Sequence, residues 1–309
     1  MSNMYTEIAK NKRNSSLLVF AFILVTIGIS WIFAQALDSP IILYVATSIS
    51  ILYSWISYFN SDKMVLAVSG AREVKKSDSP ELYRVVENLA ITAGLPTPRV
   101  YIIADSAPNA FATGRDPEHA VVCVTEGLLQ KLDKRELEGV IAHELSHIGN
   151  YDIRMMSLIA VLVSVIALLS DFFLRWGFFF GGDRDDNNNN GGQAQMIFML
   201  LAIVLAIVAP IIGLLIQLAV SRKREYLADA SGALLTRYPD GLASALKKIA
   251  GDTEPLEAAN KATANMYIIN PLRANVEGKG GKSFAAKLFS THPPTADRIK
   301  RLSEMGTKE

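Results

Sequence analysis

Asp133-Lys134-Arg135-Glu136-Leu137-Glu138-Gly139-Val140-Ile141-Ala142-His143-Glu144-Leu145-Ser146-His147-Ile148-Gly149-Asn150 is the stretch on which the reading of this chain turns. Asp133 with Glu136 three residues later forms a capping box, in which each side chain closes an open backbone donor of the first helical turn. Leu137, Val140, Ile141, Leu145 and Ile148 then recur at helical spacing, so the stretch predicts an amphipathic helix with one face in a core. On that helix His143 and His147 stand four residues apart and share a face. Glu144 points about 100° further round the axis.

Two imidazoles at this spacing with a carboxylate beside the first make the HExxH pattern, in which the histidines hold a metal ion and the glutamate reaches a water on it. The pattern predicts a zinc peptidase site with His143 and His147 as ligands and Glu144 as general base. It fixes only three residues, however, and also arises on ordinary helices. Of the four histidines, His119, His143, His147 and His292, two lie in it.

A catalytic zinc takes three protein ligands and a water, so a third ligand is needed. The metzincin continuation is absent, since Asn150 and Ile153 occupy its glycine and histidine positions. That leaves His119, His292 or a carboxylate from a neighbouring helix. Glu225 opens Glu225-Tyr226-Leu227-Ala228-Asp229, and Asp229 shares its helical face, where it can orient a ligand histidine. A solvated charged helix, with Arg222-Lys223-Arg224-Glu225 pairing along its surface, accounts for the same residues equally well. His119 lies in a polar turn and reads as a surface residue.

Half of the 309 residues are hydrophobic and the net charge is +1, which offers no basic footprint for a nucleic-acid partner. The apolar residues are gathered into runs at 16–36, 41–59, 157–180 and 196–220, the third interrupted by Asp171 and Arg175. Crossing a bilayer takes about 20 apolar residues. The chain is therefore expected to be an integral membrane protein with up to four transmembrane helices, the run at 157–180 being ambiguous. The first run exceeds a signal-peptide core and a second follows at once, so a retained hairpin is expected. Lys10, Lys12, Arg13, Lys63, Arg72, Lys75, Lys76, Arg154, Arg222, Lys223 and Arg224 all fall on one side if all four runs cross. That side is the cytoplasm, together with HExxH and both termini. The lone Cys123 fits a reducing compartment and a buried strand.

The expected organisation is a transmembrane hairpin over 1–60, then a first protease half over 61–155 that carries the HExxH helix. A second hydrophobic hairpin follows over 156–220 with a flexible loop at 181–192, and a second protease half over 221–309 brings the third ligand. The fold class is α+β, mostly helical with a small β-sheet. A helix is predicted from Asp78-Ser79-Pro80 to Gly94, with Leu82, Val85, Val86 and Leu89 on its inner face. Strands are predicted over 99–104 and 120–125, with 109–114 as strand or loop. Further helices are expected over 222–237, 240–250 and 295–304, while the Gly- and Lys-rich stretch 273–283 is expected to be mobile.

Four motifs occur in order: NAFATG at 109–114, HELSH at 143–147 followed by Asn150 and Asp152, SRKREYLAD at 221–229, and THPPTADR at 291–298. With two N-terminal spans and a later hydrophobic pair, they resemble the HtpX family of membrane zinc metalloproteases over nearly the whole chain. The CAAX prenyl endopeptidases are more distant relatives. The resemblance implies a gluzincin-like cytoplasmic domain in a bacterial inner membrane, and one zinc ion held by His143, His147 and Glu225. It implies quality control of membrane proteins under stress, with membrane-protein or peptide substrates and the lipid bilayer as partners. It also places His292 near the active site, as a candidate donor to the oxyanion; a histidine ordering the Pro293-Pro294 turn explains that residue as well. Asn109, Ala110 and Phe111 read as an edge strand that pairs with substrate backbone.

Overall fold

The chain opens with two helices, α1 (Met4–Ala36) and α2 (Pro40–Val68), packed along one another. A computed structural model describes residues 4–36, 38–162, 222–259, 263–271 and 293–306. Pro40 starts α2 in the first turn, where a missing N–H leaves no bond unmade. At Asn60 (φ −122°, ψ 20°) the helix kinks, at the end of the apolar run and at the expected domain boundary. Leu17, Phe20, Leu24 and Trp31 on α1, and Ile41, Tyr44, Ile49, Leu52 and Trp55 on α2, are exposed. Among the described residues no helix is long and apolar enough to cross a membrane, so the fold alone does not establish the spans expected at 16–36 and 41–59. Of the other two runs only residues 157–162 are described, and these are helical. The expected loop at 181–192 and the stretch 273–283 lie outside the described residues.

The sheet has the order β1-β2-β4-β3, from β1 (Arg72–Glu73), β2 (Arg99–Ile103), β3 (Ala110–Thr113) and β4 (Val121–Thr125). The central pair is parallel and both outer strands are antiparallel to their neighbours. The stretch 109–114 thus resolves as an edge strand. Val121-Val122-Cys123-Val124-Thr125 is buried throughout, as a β-branched run in a central strand with both faces covered should be.

The helices begin and end where their signals lie. α3 (Pro80–Ala93) stops at Gly94, whose φ of +66° is the left-handed cap that glycine adopts without strain. α4 (Glu126–Lys131) is short and is capped by the Thr125 side chain, which accepts from Leu128 N–H. α5 (Lys134–Gly149) carries the expected capping box: Asp133 accepts from the Glu136 N–H at 3.0 Å, and Glu136 accepts from the Asp133 N–H at 2.8 Å. After residue 221 come α6 (Arg222–Thr236), α7 (Pro239–Gly251) and the C-terminal α8 (Thr295–Gly306).

α5 is the hub, touching α3, β3, α6 and α7. Val86, Val122, Leu128, Val140, Ile141, Leu145, Ile148, Leu242 and Leu246 close one core around it. A second core joins Leu18 of α1 and Val65 and Leu66 of α2 to Phe111, Cys123, Met155, Ile159 and Tyr267. The N-terminal hairpin is therefore packed into the body of the protein.

α7 approaches α5 so closely at Gly139 that a Cβ there would lie 2.7 Å from the Leu242 backbone nitrogen. The obstacle is backbone, which cannot rotate away. Gly139→Ala is expected to destabilise by about 1–3 kcal/mol, as overpacking does. A lower midpoint of thermal unfolding checks this, and an unchanged midpoint would mean that α7 slides freely.

Candidate metal centre

α5 turns the Nε2 atoms of His143 and His147 toward each other at 3.2 Å, with the rings edge to face. α6 crosses α5 beside them. The crossing is close because Gly232 has no side chain: a Cβ there would sit 3.1 Å from the His143 backbone nitrogen. This brings Glu225 into place, with Oε1 3.6 Å from His147 Nε2 and Oε2 3.8 Å from His143 Nε2. Among the described residues, these three form one group with ligand atoms close enough together to hold a metal ion. Tetrahedral zinc with bonds of about 2.0–2.1 Å sets its ligand atoms about 3.3 Å apart, and the observed separations lie around that value.

The far side of each ring shows why these nitrogens face inward. His143 Nδ1 lies 3.0 Å from Asp229 Oδ1, and His147 Nδ1 lies 3.0 Å from Asp152 Oδ2. An ionised carboxylate only accepts, so each Nδ1 carries a proton and each Nε2 is the atom turned toward the other ring and Glu225. Two imidazole nitrogens and a carboxylate converging in a buried space repel one another unless a proton or a metal ion lies among them. The donor set therefore fits a metal ion.

Each of those carboxylates lies beside an arginine. Arg298, fully buried on α8, grips Asp229 with two bonds, Nε–Oδ2 at 2.8 Å and Nη2–Oδ1 at 2.6 Å. Its remaining nitrogen donates to the Ile268 carbonyl at 2.9 Å and stands 3.5 Å from Glu225 Oε2. Arg224 places Nε 3.7 Å from Asp152 Oδ1. Four buried carboxylates, Glu144, Asp152, Glu225 and Asp229, thus face two buried guanidiniums, Arg224 and Arg298.

Burial pushes the Glu144 carboxyl up to about 7; Glu225 adds to the rise, while His147, Arg298 and a hydrogen bond from the Ala112 N–H oppose it. Burial disfavours the charged form of both histidines. It prevails at His143, which is lowered. At His147 the partners Asp152, Glu225 and Glu144 outweigh it and lift the group to about 9. Burial would also raise Asp229, but Arg298 and His143 hold it below the usual carboxylate range.

The fold brings His143, Glu144, His147, Glu225 and Asp229 into one buried cluster. His292 lies outside the described residues. Asn109 and Ala110 already have partners: Asn109 Nδ2 donates to the Ile269 carbonyl at 2.9 Å, and the Ala110 carbonyl accepts from Ile268 N–H at 2.9 Å. Phe111 is a core residue packed edge to face on Tyr267. The strand edge open to another chain is thus shorter than the sequence implied, because residues 268–269 cover its start. His119 is half exposed, pairs with Asp116 and takes no part in the site. Asp152 and Arg298 were not assigned roles from sequence; the only signal for them was their presence in the motifs that carry the family resemblance.

A buried His-Glu-His set on an HExxH helix, beside a small mixed sheet, defines a metallopeptidase, a metal-dependent hydrolase of peptide bonds. The model of Peptidase family M48 matches residues 76–306, and the chain belongs to that family. It is 46% identical over 309 residues to a protease HtpX homolog of Tropheryma whipplei (strain Twist), covering 99% of both chains. It is 44% identical over 305 residues to a protease HtpX homolog of Dictyoglomus thermophilum, covering 98% of this chain and 95% of that one. A crystal structure of S. mikatae Ste24p is similar at a TM-score of 0.48 and 18% identity, over 96% of this chain and 66% of that chain.

Proposed function

We propose that the chain is a membrane-bound zinc endopeptidase that cuts damaged or misfolded membrane proteins on the cytoplasmic side, with His143, His147 and Glu225 as ligands and Glu144 as general base. The observation that carries the proposal is the convergence of two Nε2 atoms and the Glu225 carboxylate, with both imidazoles held from behind by Asp229 and Asp152. Two histidines and a glutamate are a catalytic zinc set, and a bound zinc supplies a water with a pKa near 7 and polarises the substrate carbonyl. Glu144 takes the proton from the attacking water and delivers it to the leaving amine. Burial raises its carboxyl above the usual carboxylate range, which favours taking up that proton.

Insertion of α1 and α2 in a bilayer rests on the charge-free run at 16–36, the run at 41–59 and the large apolar side chains these helices expose. The cytoplasmic orientation rests on the basic residues flanking the runs. Within this proposal His292 donates to the oxyanion. A substrate strand at Asn109, Ala110 and Phe111 takes the place now held by residues 268–269.

Zinc content tests the ligand set. The purified wild-type protein is expected to hold about one zinc per chain, the number one three-ligand catalytic site binds, and Glu225→Ala is expected to lose most of it. Equal zinc in the two proteins would remove Glu225 from the site.

A further inference from the structure

Where the HExxH helix ends, a side chain from the far N-terminus reaches into the site. Asn150 caps α5, Tyr151 takes a left-handed conformation at φ 59°, and Asp152 begins the helical stretch 152–162. Into this corner α1 inserts Asn11, which is 1% exposed although the neighbouring Lys10 and Lys12 face solvent. Its amide nitrogen donates to the Asn150 carbonyl at 3.0 Å and to Asp152 Oδ1 at 2.7 Å, and its amide oxygen accepts from Arg224 Nη1 at 3.2 Å. The opposite oxygen of Asp152 is the one that meets His147 Nδ1, at 3.0 Å.

A carboxylate turns easily about its terminal torsion, which has no sharp staggered wells. Asp152 Oδ1 stands 3.7 Å from Arg224 Nε, beyond hydrogen-bond reach, so the arginine attracts the carboxylate without fixing its plane. Asn11 supplies what the arginine does not: a directional bond to Oδ1 that leaves Oδ2 aimed at His147. We propose that Asn11 is a positioning residue of the metal site, acting through Asp152 to hold the His147 ring in its ligand orientation, so that docking of α1 completes the site. The proposal rests on His147 being a metal ligand. It makes the first helix of the hydrophobic hairpin part of the scaffold of the centre, although some 130 residues separate it from HExxH (11 to 143).

The test uses the full-length protein in lipid nanodiscs and compares wild type with Asn11→Asp and Lys12→Ala. Asn11→Asp keeps the shape, removes the amide donor and sets a second carboxylate against Asp152. Lys12→Ala is the control for docking: the Lys12 ammonium lies 4.1 Å over the Tyr151 ring, so its loss weakens the same helix contact without touching Asp152. Three quantities are read: the rate of zinc loss to a chelator, kcat and KM separately, and the unfolding midpoint of the metal-free protein. Asn11→Asp is expected to release zinc about 10–100-fold faster, the usual effect of losing a group behind a ligand. It should lower kcat with KM unchanged and release zinc faster than Lys12→Ala, although the second buried carboxylate also lowers its metal-free midpoint. Wild-type zinc retention in Asn11→Asp would overturn the proposal, and so would equal zinc loss from Lys12→Ala. If Asn11→Asp does not fold, Asn11→Ser, which keeps one donor, takes its place with a smaller expected loss and the same overturning results. His147→Ala is run beside them; if it keeps wild-type zinc, the ligand assignment itself fails, whatever Asn11 does.

Discussion

Replacing Glu144 with glutamine is expected to cut peptide hydrolysis by about 10²–10⁴-fold, the contribution of a positioned general base, while zinc content stays at the wild-type level. Glutamine has the same shape as the buried glutamate it replaces. It cannot take a proton from water at neutral pH. The variant should also be no less stable than wild type, because burial already opposes ionisation at this position. These three readings separate the base from a ligand or a structural acid. A ligand would take the zinc with it, and a structural acid would lower the unfolding midpoint. Cleavage of a membrane-protein substrate by Glu144→Gln at the wild-type rate would show that another group moves the proton.

The parts of this site that were legible in the sequence are those whose causes act within a turn or two of helix. The Asp133–Glu136 capping box and the apolar spacing after it define α5, and the i, i+4 rule puts His143 and His147 together and Glu225 with Asp229. Residues alone left Glu225 balanced between a ligand and a solvated charged helix. The fold removes the second alternative: Arg222 and Lys223 are exposed, whereas Arg224, Glu225 and Asp229 are buried against α5. No local pattern could have said which charges of that helix turn inward, since this depends on where α5 lies and on the missing side chain of Gly232. The same holds for Asn11, which sits among lysines and reads as part of a basic flank. In the fold it is buried, bonded to Asn150, Arg224 and Asp152, the last of them 141 positions away. For 109–114 the composition fitted strand and loop alike; pairing with β4 decided for a strand, and residues 268–269, distant in sequence, covered its start.

Arg298 is the clearest case of a charge whose meaning lies wholly in tertiary structure, and its loss should be the most damaging to stability. In sequence it stands on a short helix rich in charge. Among the described residues it is the largest fully buried side chain, tied to Asp229, Ile268 and, at 3.5 Å, Glu225. Arg298→Met fills much of the same space but leaves Asp229 buried with one partner, His143. Breaking a buried pair from one side costs about 3–5 kcal/mol, so the unfolding midpoint should fall sharply. Zinc should be lost as well, since Asp229 no longer holds the imidazole from behind. Arg298→Lys keeps the charge without the planar fork that makes two parallel bonds, and should recover only part of the loss. The decisive comparison is the double variant Asp229→Asn, Arg298→Met. An asparagine oxygen can still accept from His143 Nδ1, and no buried charge of the pair is left alone. The double variant should therefore unfold later than Arg298→Met alone, yet hold zinc less tightly than wild type, because a neutral amide raises the basicity of the histidine less than a carboxylate does. A double variant no more stable than the single one would mean that Arg298 acts through its packing and its bond to Ile268, and that Asp229 does not need it.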